Sequence, residues 1–218
     1  GYRVHLAHAP ALPQYSGLKH VDDQHDARWL AHLLRLGLLP TGYIYPKAER
    51  AVRDLLRKRS QLVRHKTMVV LSLQSLLTRL TGSRLSLPRL RQLTPESVQT
   101  LVPFPEQGQS VMSSLTVLQC LEQQIHEIEH GVRQASRVQP GYALLQTVNG
   151  IGPILAVTIL LEAGDMRRFP TVGHFASYCR CVGSQHLSNG KRKGAGNTKN
   201  GNKYLSWAFI EAAHFAIR

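Results

Sequence analysis

The 218-residue chain carries 27 lysines and arginines against 13 aspartates and glutamates, a formal net charge of +14, with 43% hydrophobic residues. That hydrophobic content excludes a disordered polyelectrolyte and suffices for a buried core in one or two domains. The charge excess points to a polyanionic partner, nucleic acid before an anionic membrane. The longest apolar run, Ile151 to Leu161, is too short to span a bilayer, and no signal-peptide pattern opens the chain. Cys120, Cys179 and Cys181 form neither an even disulfide framework nor a C-x-x-C pair, which argues against zinc and fits a reducing cytoplasm.

In chain order, Tyr2 to His8 reads as a short β-like run ended by Pro10 and Pro13. A helix follows the Asp22, Asp23, Asp26 cluster, with Asp22 or Asp23 placed as N-cap, and Gly37 and Pro40 close it. From Lys47 to Leu80 a long helix is predicted, because apolar pairs recur every seven residues at Leu55/Leu56, Leu62/Val63, Val69/Val70 and Leu76/Leu77. Gly82, Pro88 and Pro95 break it. Thr94-Pro95 starts a short helix to about Leu101, and Pro103 and Pro105 end that one. A second long helix spans roughly Gln109 to Arg137, with Val111, Leu118, Ile125 and Val132 in one row and Leu121, Ile128 and Ala135 in the next. Together they read either as an antiparallel hairpin that could serve as a dimerisation arm or as two helices packed in one globular core.

After Gly141, the run Asn149-Gly150-Ile151-Gly152-Pro153 between apolar segments resembles a helix-hairpin-helix turn, whose amides can face a phosphate; a tight turn between core helices is the plainer alternative. Ile154 to Ala163 is an apolar helix stopped by Gly164, Val172 to Cys179 another, and Leu205 to Ile217 closes the chain. Between the last two lies a stretch from Tyr178 to Tyr204 without one acidic residue. It holds Lys191, Arg192, Lys193, Lys199 and Lys203, and is rich in glycine and asparagine, Asn200 and Asn202 among them. Such a backbone can approach a polyanion closely, with its cations on the phosphates.

Two groups could carry chemistry. Asp23 and Asp26, three apart at a helix start, lie on one face and could ligate one hard cation such as Mg²⁺; capping and the helix dipole explain one aspartate more easily than three. Ser188 or Ser184, beside the cations, could attack a phosphorus; His186 between them is weaker as a general base than as a phosphate contact.

Lys19-x-x-x-Asp23-x-x-Asp26-Ala27 resembles the K-x-D-x-x-D-A segment that supplies the last two acids of a DEDD, RuvC-like nuclease domain. The run from Asn149 to Ala213 resembles the C-terminal domain of the same family, the IS one-ten insertion-sequence transposases, relatives of Piv-type DNA invertases. The resemblance implies a mainly α fold in three parts. Residues 1–46 would be the end of an α/β RuvC-like (RNase H-like) domain, 47–138 a coiled-coil arm, and 139–218 a helical transposase domain. It implies a recombinase that holds Mg²⁺ through four acids, Asp23 and Asp26 being the third and fourth, and uses a serine as covalent nucleophile. It also implies donor and target DNA, a guiding bridge RNA, dimers pairing into tetramers, and no membrane. The serine stretch S-S-G-G-K aligns with Leu187-Ser188-Asn189-Gly190-Lys191, which points to Ser188, with Ser184 in reserve. Two departures stand out: Asn189 replaces a glycine, and the usual Y-L-G-L-V-P run reads Tyr178-Cys179-Arg180-Cys181-Val182-Gly183. The first two acids are expected upstream of Gly1, so the chain alone is expected not to complete the metal site. The rival reading is a non-catalytic nucleic-acid-binding fragment or regulator from a decayed element. A purely structural coiled-coil protein leaves the 178–204 stretch unexplained.

Overall fold

The computed structural model describes residues 2–8, 11–12, 22–136, 139–183, 187–188, 191–192 and 200–217. They are mainly helical, and divide into two compact units, Gly1–Lys47 and Ala48–Arg218.

In the first unit, α1 (Asp23–Arg35) starts where the aspartates predict: Asp22 is the N-cap, its Oδ1 accepting from the His25 amide at 2.7 Å. Asp23 and Asp26 follow in the first turn, where negative charge complements the helix dipole. The predicted strand over residues 2–8 is not a strand. Ala7 makes one isolated antiparallel bridge with Thr41, flanked by bonds from the His8 amide to Pro40 O (2.8 Å) and from the Gly42 amide to Leu6 O (2.7 Å). Alternation alone does not hold a strand: Tyr2, Val4 and Leu6 are all exposed, so neither pairing nor burial extends the ladder.

The second unit is built on two long helices, α2 (Lys47–Thr81) and α5 (Pro105–Ser136). They run antiparallel. Arg59 pairs with Glu129 at 2.6 Å, and Lys66 with Glu122 at 3.8 Å, so seven residues forward on α2 is seven back on α5. The heptad row Val111, Leu118, Ile125 and Val132 is buried throughout; of the companion row, Leu121 and Ile128 are half-buried and Ala135 exposed, while Leu115 is buried. On α2 the seam is Leu56, Leu73 and Leu77, and Leu55 faces out.

Between them lie α3 (Leu87–Arg91) and α4 (Pro95–Leu101). The prolines expected to break helices here mostly begin them. Pro88 sits in the first turn of α3 and Pro105 opens α5 four residues before its expected start, while Pro95 stands in the first turn of α4 as expected. At these positions the missing N–H is one that no intrahelical bond would use. Thr94 and Ser97 close a reciprocal capping box on α4. One apolar cluster joins Leu73 and Leu77 to Leu90, Val98, Val102, Val111 and Leu115 at this end. Arg91 of α3 also reaches Glu122, and this bond first, then the surrounding positive charge, holds the Glu122 carboxyl below its usual range.

At the other end, a second cluster joins Leu56 and Val132 to α6 (Pro140–Gln146), α7 (Pro153–Ala163), α8 (Val172–Tyr178) and α9 (Lys203–Ala216). Helix α7 is its centre. Leu155, Ala156, Val157, Ile159, Leu161 and Ala163 are all buried, which a near-continuous apolar run requires. Gly164 ends it at φ 62° and ψ −142°, a backbone conformation that glycine adopts readily.

Candidate nucleic-acid interface

One charged side chain interrupts the apolar α7. Glu162 is 2% exposed and is bound from two other elements. Arg57 of α2 grips it bidentately, Nε to Oε1 at 2.6 Å and Nη2 to Oε2 at 2.7 Å, and Asn202 Nδ2 donates to Oε2 at 2.7 Å. Burying a carboxylate is costly unless charge and hydrogen bonds are supplied, and here both are. The guanidinium of Arg57 also lies 4.7 Å from the Tyr204 ring centroid, a cation–π contact. Asn202 is in turn the N-cap of α9, its Oδ1 accepting from the Tyr204 amide at 2.8 Å and the Leu205 amide at 3.2 Å. A single carboxylate thus joins the long helix, the core helix and the end of the basic loop.

The beginning of that loop is pinned to its end. Helix α8 finishes in a Schellman motif, with the Cys181 amide bonded to Ala176 O at 2.9 Å and the Arg180 amide to Ser177 O at 2.9 Å. The residue that must turn left-handed is Arg180, at φ 58°, where the resembling Y-L-G run has glycine. Its Nη2 donates to Gly201 O at 3.0 Å, and the Asn202 amide donates to Tyr178 O at 2.6 Å. Gly201 is required here. Its φ is +90°, and a Cβ would stand 2.5 Å from Tyr178 O. Phe175 packs edge to face with Phe169 and Phe209, Phe169 lies tilted against Tyr178, and Arg168 lies over the rings of Phe169 and Tyr178.

Within the loop, β1 (Leu187–Ser188) and β2 (Lys191–Arg192) pair antiparallel, with Ser188 directly opposite Lys191. Opposed residues in such a pair have Cα atoms about 4.5–5.5 Å apart. Lys191 is exposed, as are Asn200 and Lys203. Ser184, His186, Lys193 and Lys199 lie outside the described residues.

Two expected nucleic-acid contacts have other roles. Asn202 is buried with both ends of its amide committed, so it holds the loop rather than a phosphate. Gly150, at φ +86°, is where the α6–α7 turn touches α9: a Cβ would lie 2.1 Å from Ala212 O. Gly152 is the exposed N-cap of α7 with nothing within 4 Å of a Cβ. In the first unit, Asp26 Oδ1 is buried with no hydrogen-bond partner, the kind of atom a cation would satisfy, and Asp23 sits one turn before it. Asp22 is spent on its cap, and among the described residues no group of three or more histidine, cysteine or acidic side chains could hold a metal. Asp23 and Asp26 offer oxygen donors of the kind Mg²⁺ takes, and two are fewer than it needs.

Sequence reasoning missed Arg57 and Glu162. The available signal was a lone carboxylate in an apolar helix, which demands a buried partner; its identity, 105 positions away, was not readable. Cys179 is also buried, which pushes its thiol up to about 12, with Cys181 adding to the shift. We expect a thiol reagent at pH 8 to modify the exposed Cys120 and Cys181 rapidly, and Cys179 only after denaturation. Timed mass spectrometry checks this; fast labelling of Cys179 would contradict the burial.

These features define a mainly helical, strongly cationic domain organised around a buried acid and a pinned basic loop. Residues 142–218 match the sequence profile described as Transposase IS116/IS110/IS902 family. The whole chain aligns at 29% identity with a Pseudomonas aeruginosa (strain PAO1) protein described as "Probable family 20 transposase", covering 65% of that protein. In its C-terminal part the chain is thus similar to the IS110 family of insertion-sequence transposases. It spans about two thirds of the curated relative's length. Among the described residues no helix is long and apolar enough to cross a membrane.

Proposed function

We propose that the chain is part of a DNA transposase that cuts and rejoins strands through Ser188, assisted by Mg²⁺. The observation that carries this is the placement of Ser188 opposite Lys191 at the turn of a basic hairpin whose stem is closed by Asn202 and Tyr178. Ser188 Oγ attacks a DNA phosphorus. The Ser–O–P bond forms as the P–O bond to the sugar breaks, and the serine proton ends on the leaving oxygen. A hydroxyl from another strand then attacks the phosphoserine and restores the serine. Lys191, with Arg192, Lys193 and Lys199, offsets charge on the transferring phosphate. Asp23 and Asp26 would hold Mg²⁺ as two of four acids, and the ion when bound supplies Lewis-acid neutralisation.

In this reading residues 1–46 belong to a RuvC-like domain, and the antiparallel α2/α5 pair is a coiled-coil dimerisation arm in 47–138. The 139–218 segment meets donor and target DNA under guidance of a bridge RNA, in a dimer that pairs into a tetramer. The test uses the native protein with element-end DNA, element-derived RNA and Mg²⁺. A denaturant-resistant protein–DNA adduct is expected, lost in Ser188→Ala; Asp26→Ala should lower strand transfer by at least ~10²-fold. An adduct that survives Ser188→Ala rejects the nucleophile, and unchanged transfer in Asp26→Ala rejects the metal role. A binding-only fragment is the second reading, favoured by the lack of a three-ligand cluster among the described residues. It predicts salt-sensitive binding without strand breakage.

A further inference from the structure

We propose that the groove between α2 and α9 is a site for one unpaired nucleotide, its base stacked on Trp207 and its phosphate held between Arg64 and Lys203. The inference rests on the nucleic-acid reading above and adds a strand-state preference that the basic loop does not predict. The groove encloses about 240 Å³ and is lined by Arg59, Val63, Arg64, Lys203, Tyr204 and Trp207. That is room for a heterocyclic base, and far too little for a duplex.

Its residues divide by what already occupies them. Arg59 is tied to Glu129 at 2.6 Å, so its charge is matched. Tyr204 has Arg57 over its ring at 4.7 Å, and Lys203 Nζ at 5.2 Å from its centroid. Trp207 is 37% exposed. Arg64 and Lys203 are both exposed and face no carboxylate within ion-pair distance among the described residues. An open indole flanked by two unmatched cations and an apolar Val63 wall is the chemistry of single-strand recognition, in which a ring stacks on the base and cations follow the backbone. A duplex keeps its bases inside, so only an unpaired nucleotide can use the ring. The groove adjoins the loop: Lys203 follows the Asn202 cap directly.

The sequence has two tryptophans, so Trp29→Phe leaves Trp207 as the only indole reporter. In that background, titration with 15-nucleotide oligothymidylate or oligouridylate should quench and shift Trp207 emission, whereas a duplex of equal length should not. Quenching by the deoxy oligomer alone, the ribo oligomer alone, or both supports the site and assigns its source. Fluorescence anisotropy of labelled oligothymidylate should show binding weakened roughly tenfold in Trp207→Ala and much less in Trp207→Phe. Arg64→Gln and Lys203→Gln should each lower the salt slope by roughly 0.7. The five substitutions fall at four positions, all exposed or half-exposed, and unchanged melting temperatures would show the fold intact. If oligomers bind with the slope unchanged in both glutamine variants and Trp207 silent, the groove is rejected while the nucleic-acid reading stands. If neither oligomer nor duplex binds, both fall. Equal quenching by duplex and single strand rejects the preference proposed here.

Discussion

Gly150→Ala should destabilise the second unit by about 3 kcal/mol or more, and Gly152→Ala by about 1 kcal/mol or less. The two glycines stand two residues apart in what reads as one phosphate-facing turn. They differ in what a methyl group would meet. At Gly150 a Cβ would lie 2.1 Å from Ala212 O and 2.9 Å from the Ala216 amide, both backbone atoms of α9 that no rotamer change can move. The φ of +86° adds a left-handed penalty of roughly 1–2 kcal/mol. Relief requires α9 to withdraw from the α6–α7 turn, opening the cluster that holds Leu155, Ala208 and Ala212. At Gly152 the space is open and φ is −80°, so alanine loses only a good N-cap. Thermal melts should separate the variants by roughly 5–10 °C for a chain of this size. Equal melting temperatures would mean that the turn does not touch α9.

Arg57→Met is expected to cost about 3–5 kcal/mol, more than Glu162→Met, although the two remove partners of the same ion pair. The asymmetry follows from exposure. The Glu162 side chain is 1% exposed and cannot reach water, so losing Arg57 leaves a buried carboxylate with only Asn202 to hold it. The Arg57 side chain is 33% exposed and can hydrate when Glu162 is removed. The double variant should therefore be more stable than Arg57→Met alone, since it removes the unpaired charge as well as its partner.

Urea titrations at pH 7.5 check this order: Arg57→Met should be less stable than Glu162→Met and than the double variant. Equal stabilities would mean that Glu162 reaches water once Arg57 is gone.

The helices could be read from local chemistry. Asp22 and Thr94 announce N-caps, the seven-residue row from Val111 to Val132 announces α5's buried seam, and Gly164 announces the stop of α7. Each is a signal within one or two turns of chain, where capping and periodicity act. The Tyr2–His8 strand failed because alternation describes a candidate surface, and a strand exists only if another segment pairs with it. Proline was misread at Pro88 and Pro105 because its meaning depends on which side of a helix start it falls. The likeness of residues 142–218 to the transposase profile was likewise legible, being carried by contiguous residues. What the tertiary structure alone decided lies between segments. Gly150 serves a helix 62 positions on at Ala212, and Asn202 faces inward to Glu162, which is bound in turn by Arg57. Trp207 shares a groove with Arg64. A close approach or a buried ion pair is a property of two surfaces brought together, and neither surface carries the other's address in its own residues.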